Sequence, residues 1–519
     1  MVSKQIQDME VETLASACLF LIVVTLLWLS ATTKPFSTTS TAIFPKVYPI
    51  IGSAFSVAAN DHRRNQWLSN ILQNSPTATF VLHRPFGTRQ IFTANPANVQ
   101  HILKTHFHIY YKGPTLNSTV GDFLGNGIFN ADGDKWKFQR QHSSHEFNTR
   151  SLRKFVETVV DDELSNRLIP ILSHASKTQT TFHDFQDILQ RFTFDNICRI
   201  AFGYDPEYLI PSLPETEFVK AFNDGTEICS WRLNAAVPLF WKIKKLLNIG
   251  SEKRLRVAIS QVRDLATKII REKKQELKEK NTLESVDLLS RFLSTSLSDE
   301  ALVSDIIVSF ILAGRDTTSA ALTWFFWLLS KHPHVEKEVL KEIDEKSETS
   351  ASAYDEVKNM VYTHAALCES MRLYPPVPAG RKEASNDDVL PDGTFVKKGT
   401  GVVFHTYTMG RSEKIWGPDW AEFRPERWLN RVQEDDKWKF KGVDPFTYPV
   451  FLAGPRVCLG KEMAFLQMKT MVAGIMRQFK VVPVVANGAE PEYTSALTSL
   501  VKGGLHVRIE ARSVTKTHY

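Results

Sequence analysis

The residue best equipped for chemistry is Cys458, in the loop Phe451-Leu452-Ala453-Gly454-Pro455-Arg456-Val457-Cys458-Leu459-Gly460. The run from Lys461 to Gln478 that follows has apolar residues at Met463, Ala464, Met468, Met471 and Val472, the period of a helix. A loop therefore delivers Cys458 to a helix N-terminus, where free N–H groups and the macrodipole favour a thiolate, the form in which cysteine ligates metals. Gly454 and Gly460 would let backbone pass close to a flat macrocycle, and Arg456 would pair with an acidic group on it. The competing reading of Cys458 is an ordinary buried thiol.

Three other constellations stand out. The segment Leu302 to Lys331 is a long apolar pattern, begun near Asp305 and broken by His332-Pro333, and it reads as one central helix. Within it lies Ala313-Gly314-Arg315-Asp316-Thr317-Thr318. Asp and Thr are poor helix-interior residues, so this conflict with local preference marks function or a solvated face. Glu369 and Arg372, three residues apart, share a helix face where ion pairs form, although most such pairs sit in water and stabilise little. Trp136 and Arg140 stand at i,i+4 spacing, which an ordinary amphipathic helix also allows.

The chain that must position these residues has 519 residues, 43% hydrophobic and 23% charged, enough for a large core and unlike a disordered protein. Its five cysteines, Cys18, Cys198, Cys229, Cys368 and Cys458, are scattered without a CxxC pair, which reads as a reduced, cytosolic globular part. A net charge of +6 and a pI near 8.8 are too mild, and too evenly spread, for a nucleic-acid binder. They suit an acidic protein partner or an anionic membrane.

Thr13 to Leu29 carries no charge and nearly spans a hydrocarbon core of ~30 Å at ~1.5 Å per residue. Asp8, Glu10 and Glu12 precede it while Lys34 and Lys46 follow, which places the C-terminal domain in the cytosol and argues against a cleaved signal peptide. The expected organisation is an anchor over 1–30, a Ser/Thr- and Pro-containing linker over 31–52 and a catalytic domain over 53–519.

The pattern FxxGxRxCxG, formed by Phe451, Gly454, Arg456, Cys458 and Gly460, resembles the haem-binding signature of the cytochrome P-450 superfamily. The resemblance implies haem b, iron protoporphyrin IX, with Cys458 as thiolate ligand and metal-binding residue. Such a ligand pushes electron density onto iron and favours O–O cleavage. It implies that Ala313 and Gly314 leave room above the iron, that Thr317 hydrogen-bonds dioxygen and that Asp316 relays protons. Glu369, Arg372 and Arg427, the last in Pro425-Glu426-Arg427-Trp428, are implied to form a buried structural network behind the ligand loop. Trp136 and Arg140 are implied to reach a haem propionate. The implied fold is mostly α with a small β-rich lobe, a cytochrome P-450 fold behind an N-terminal transmembrane helix. The implied enzyme is a monooxygenase of the endoplasmic reticulum membrane, using dioxygen and NADPH through NADPH-cytochrome P-450 reductase, with Lys135, Lys137, Lys242, Lys244 and Lys245 as candidate docking charges.

Longer stretches, Trp136 to Arg153, Phe194 to Phe202, Trp241 to Arg256 and Phe310 to Leu329, resemble the plant fatty-acid ω-hydroxylases. That kinship implies an apolar small-molecule substrate hydroxylated at the end of a long aliphatic chain. One departure opens alternatives: Ala379-Gly380-Arg381-Lys382 stands where an acidic residue and a small hydroxyl are expected before the lysine. A sterol side chain or a jasmonoyl-amino-acid conjugate are the other candidates, and Arg381 is either a propionate partner or a surface charge. The expected Asp316-Thr317 proton delivery argues against a peroxygenase, an isomerase or a haem-binding sensor.

Overall fold

The computed structural model describes residues 43–512 apart from 180, 183, 281–286, 296–298, 433–436, 485–489 and 496. The expected anchor lies outside the described residues, among which no helix is long and apolar enough to cross a membrane. The main helices are α1 (Gly113–Leu124), α2 (Gly133–Ser144), α3 (Phe185–Phe202), α4 (Glu217–Asn234), α5 (Gly250–Lys280), α6 (Glu300–Lys331), α7 (Val361–Leu373) and α8 (Lys461–Gln478).

Helix α6 organises the rest. It starts at Glu300, two residues before Leu302, because the Asp299 carboxylate accepts a hydrogen bond from Leu302 N at 2.6 Å and caps it. It stops at Lys331, before Pro333. Its N-terminal half, Val303 to Leu312, lies in an apolar cluster with α3, α4 and α5. Its C-terminal part, Ala321 to Leu329, lies in a second cluster with α7 and α8. Trp324 fastens that end by stacking on Tyr374, ring centroids 4.0 Å apart, a pairing worth ~0.5–1.5 kcal/mol beyond its area. The stretch between the clusters holds Asp316 and Thr317.

The β-rich lobe is a five-stranded sheet of β1 (Thr79–His83), β2 (Arg89–Thr93), β3 (Tyr110–Tyr111), β4 (Gly380–Ala384) and β5 (Gly401–Phe404) in the order β1-β2-β5-β4-β3. Only β2 and β5 run parallel within it. A third apolar cluster lies beneath it, with Ile43 packed against its margin. The pairing of Tyr111 with Glu383 brings the residues flanking both strands to one place.

Candidate functional site

The loop carrying Cys458 is closed by its own backbone, Cys458 N donating to Phe451 O at 2.8 Å. Phe451 packs on Phe465 of α8 with its ring tilted, centroids 5.2 Å apart. Gly454 has φ +67°, and a Cβ there would lie 2.1 Å from Leu103 O. A left-handed turn against the 103 backbone by itself demands glycine there. Gly460 caps α8, with a would-be Cβ 4.0 Å from the Cys458 sulfur. Although Cys458 as a residue is exposed, the protein around its sulfur pushes the thiol up, against the opposing pull of the Gly460 N–H, Arg140 and Lys461. The N–H at the helix terminus thus favours the thiolate while burial opposes it, and a bound cation would add favourable charge.

Beside this loop sits a nest of cations short of acids. Arg456 donates to Asp132 at 2.7 Å and to Ala131 O at 2.9 Å, and its guanidinium lies over the Trp136 ring at 4.4 Å. Arg140 donates to Val457 O at 2.9 Å. Two residues passed over in the sequence complete the nest. Lys112 follows β3 and Lys382 lies in β4, where it is 3% exposed, its ammonium over the Phe107 ring at 5.5 Å with no hydrogen-bond partner among the described residues. Burial, Lys112 and Arg456 push the Lys382 ammonium down to about 6; burial and Arg456 push Lys112 down to about 8. The Arg456 Nε also lacks a partner, and burial holds that guanidinium down to about 10. Desolvated cations sharing Asp132 fit the two propionates of haem, which Arg456, Lys112 and Lys382 would hold, with Trp136 and Arg140 as the wall.

From Val303 to Leu329 every residue of α6 is buried except Ala313, Gly314 and Thr317. Their i, i+1, i+4 spacing makes them one face. Close packing also demands glycine at 314, since a Cβ there would meet Ile197 of α3 at 2.6 Å. The Thr317 hydroxyl donates to Ala313 O at 2.6 Å, leaving oxygen lone pairs to accept. Asp316 is paired with Arg315 at 2.8 Å, and Arg315 also donates to Asn223 at 2.9 Å and Gln190 at 3.2 Å. Burial raises the Asp316 carboxyl while Arg315 opposes the shift.

Behind the loop, Glu369 and Arg372 are fully buried and form two hydrogen bonds of 2.7 Å. Trp428 Nε1 and Arg427 Nε add 2.9 Å and 3.3 Å contacts to the same carboxylate. Arg372 in turn donates to Gly410 O at 2.5 Å, Trp420 O at 2.8 Å and Glu422 O at 3.0 Å. One helix residue thereby ties α7 to the chain that leads into the Cys458 loop.

A helical body with this small sheet, a cation nest built for a dicarboxylate macrocycle and a loop-borne sulfur defines a haem-thiolate oxygenase. The Cytochrome P450 family model matches residues 44–506, and the chain belongs to that family. It is 67% identical over 517 residues to Cytochrome P450 94A2 of Vicia sativa, covering 97% of this chain and 99% of the relative. It is 47% identical to Cytochrome P450 94B1 of Arabidopsis thaliana, covering 92% of each. The crystal structure of a cytochrome P450, CYP102L1, superposes with a TM-score of 0.71 at 21% identity, over 89% of this chain and 97% of that one. The protein is a haem-dependent monooxygenase supplied with electrons by a reductase.

Proposed function

We propose that this enzyme hydroxylates the terminal region of a long-chain fatty acid, with Cys458 as the iron ligand, and that residues 1–30 anchor it in the endoplasmic reticulum membrane. The observation that carries the substrate class is a group of arginines on the face of β4 opposite Lys382. Arg84 Nη2 donates to Ala235 O at 2.5 Å, and Arg64 donates to the neighbouring Asn234 O at 2.9 Å, at the end of α4. Burial pushes Arg84 down to about 10, and Arg64 and Arg381 add to that shift. Nε atoms of both Arg64 and Arg381 are buried without partners. Asp61 on Arg64 and Glu383 near Arg381 offset part of this charge. A substrate carboxylate would offset the rest, holding one end of the chain while the apolar tail runs inward. This reading favours an acid over a sterol; a jasmonoyl-amino-acid conjugate, also an acid, is the second reading, on the strength of Arg381.

Haem supplies the chemistry that inserts one oxygen atom into a C–H bond. The protein's part is to orient the chain, keep water out and move protons. Asp316 and Arg315 form a buried ion pair beside Thr317, whose hydroxyl donates to Ala313 O and keeps lone pairs free on the open face of α6, so proton delivery would run through this stretch. Thr317→Ala is expected to lower product formed per NADPH roughly tenfold and to raise hydrogen peroxide, while the substrate-induced spectral shift hardly moves. Wild-type coupling in that variant would remove Thr317 from proton delivery.

The substrate reading is tested by turnover in reductase-supplemented microsomes with a saturated fatty acid, its methyl ester, a jasmonoyl amino acid and a sterol. Arg381→Leu is expected to raise KM for the acid roughly tenfold or more, the worth of a charge-assisted hydrogen bond, and to leave the ester unchanged. An acid KM unmoved by Arg381→Leu would remove this anchor.

A further inference from the structure

The short helical stretch His101–Thr105 is wound as a π-helix, and His106 N donates to His101 O at 2.8 Å to close the wide turn. In an α-helix, residues five apart diverge by about 140°; in a π turn they stack. Here the rings of His101 and His106 lie with centroids 3.9 Å apart. Both aim at one carboxylate: His101 Nε2 is 2.8 Å from Asp388 Oδ2, and His106 Nδ1 is 3.2 Å from Oδ1. Among the described residues this is the group of three such ligands whose donor atoms all lie within 4.8 Å of one another.

We propose that His101, His106 and Asp388 form a binding site for a divalent transition-metal ion of the zinc class. Tetrahedral zinc with ligands at ~2.0–2.2 Å separates donor atoms by roughly 3.3–3.5 Å, close to the contacts already present. The ion takes the lone pairs of His101 Nε2 and His106 Nδ1, and each neutral ring carries its proton on its other nitrogen. Imidazole and carboxylate together select zinc over calcium or magnesium. Tyr110 donates to Asp388 Oδ2 at 2.8 Å, the kind of outer partner that orients a ligating carboxylate. The Asp388 and His101 side chains are 8% and 11% exposed, whereas His106 at 36% leaves a way in from solvent beside exposed His108.

The site would fasten the 101–106 segment to the hairpin of Asp388–Val389 with Phe395–Val396. Tyr110 opens β3, and β3 leads directly into Lys112, so the ion sits where it can steady one wall of the cation nest.

The test uses the full-length, haem-loaded protein in detergent, stripped with a chelator and titrated with zinc chloride by calorimetry, with zinc per chain counted by elemental analysis. One ion per wild-type chain is expected, lost in His101→Gln and in His106→Gln. His106 is half-exposed and glutamine keeps a donor to Asp388, so that variant retains its fold and its haem spectrum. Tyr110→Phe is expected to weaken zinc roughly 10–100-fold while keeping the stoichiometry. Absence of zinc binding by the wild type overturns the proposal, as does equal binding by wild type and His106→Gln.

Discussion

Cys458→Ala is expected to give a protein that folds yet shows no thiolate-type absorption when reduced and exposed to carbon monoxide, with turnover at background. The loop itself does not depend on the sulfur: Cys458 contributes its backbone N–H to Phe451 O, and alanine keeps that bond. The nest of Arg456, Lys112 and Lys382 stays in place, so the variant retains the surface that fits the propionates and loses only the axial bond. Cys458→Ser, with a weak oxygen ligand, should hold more haem than alanine without restoring the thiolate spectrum. A thiolate-type spectrum in Cys458→Ala would overturn the assignment. The remaining described cysteines, Cys198, Cys229 and Cys368, are buried, and burial raises each of their thiols, which disfavours the thiolate form.

Glu369→Gln should produce the second large effect, a loss of about 3–5 kcal/mol read as a shift of the denaturation midpoint. The amide keeps the shape but leaves the Arg372 charge, fully buried, without its counterion. The cost comes from that abandoned charge and not from any large net worth of the pair. Glu369→Leu combined with Arg372→Leu should accordingly cost less than either single change beyond its lost packing. A midpoint in Glu369→Gln within ~0.5 kcal/mol of wild type would show the network to be dispensable.

Periodicity made α6 and α8 legible, since a buried helix writes its spacing into its apolar residues. The first two residues of α6 escaped because its start is set by Asp299, a capping residue outside the apolar run. Glu369 and Arg372 were legible as a pair, but only burial distinguishes this pair from a surface one. Lys112 and Lys382 carried no local signal. Each looks like a solvated lysine beside aromatic or charged neighbours, and only the β3–β4 pairing brings them to Arg456. The packing role of Gly314 was illegible for a related reason: its neighbour, Ile197, lies on another helix, and sequence reveals a missing Cβ without saying what it makes room for. The arginine carbonyl contacts at the end of α4 likewise depend on tertiary placement.

The same desolvated lysines and arginine bear on how the enzyme is made in the cell. A newly synthesised chain without its prosthetic group must hold Lys112, Lys382 and Arg456 together around a single aspartate, which biases its equilibrium toward opened forms. Opened forms are what quality-control proteases remove, so the amount of this enzyme that accumulates is expected to fall when haem is scarce.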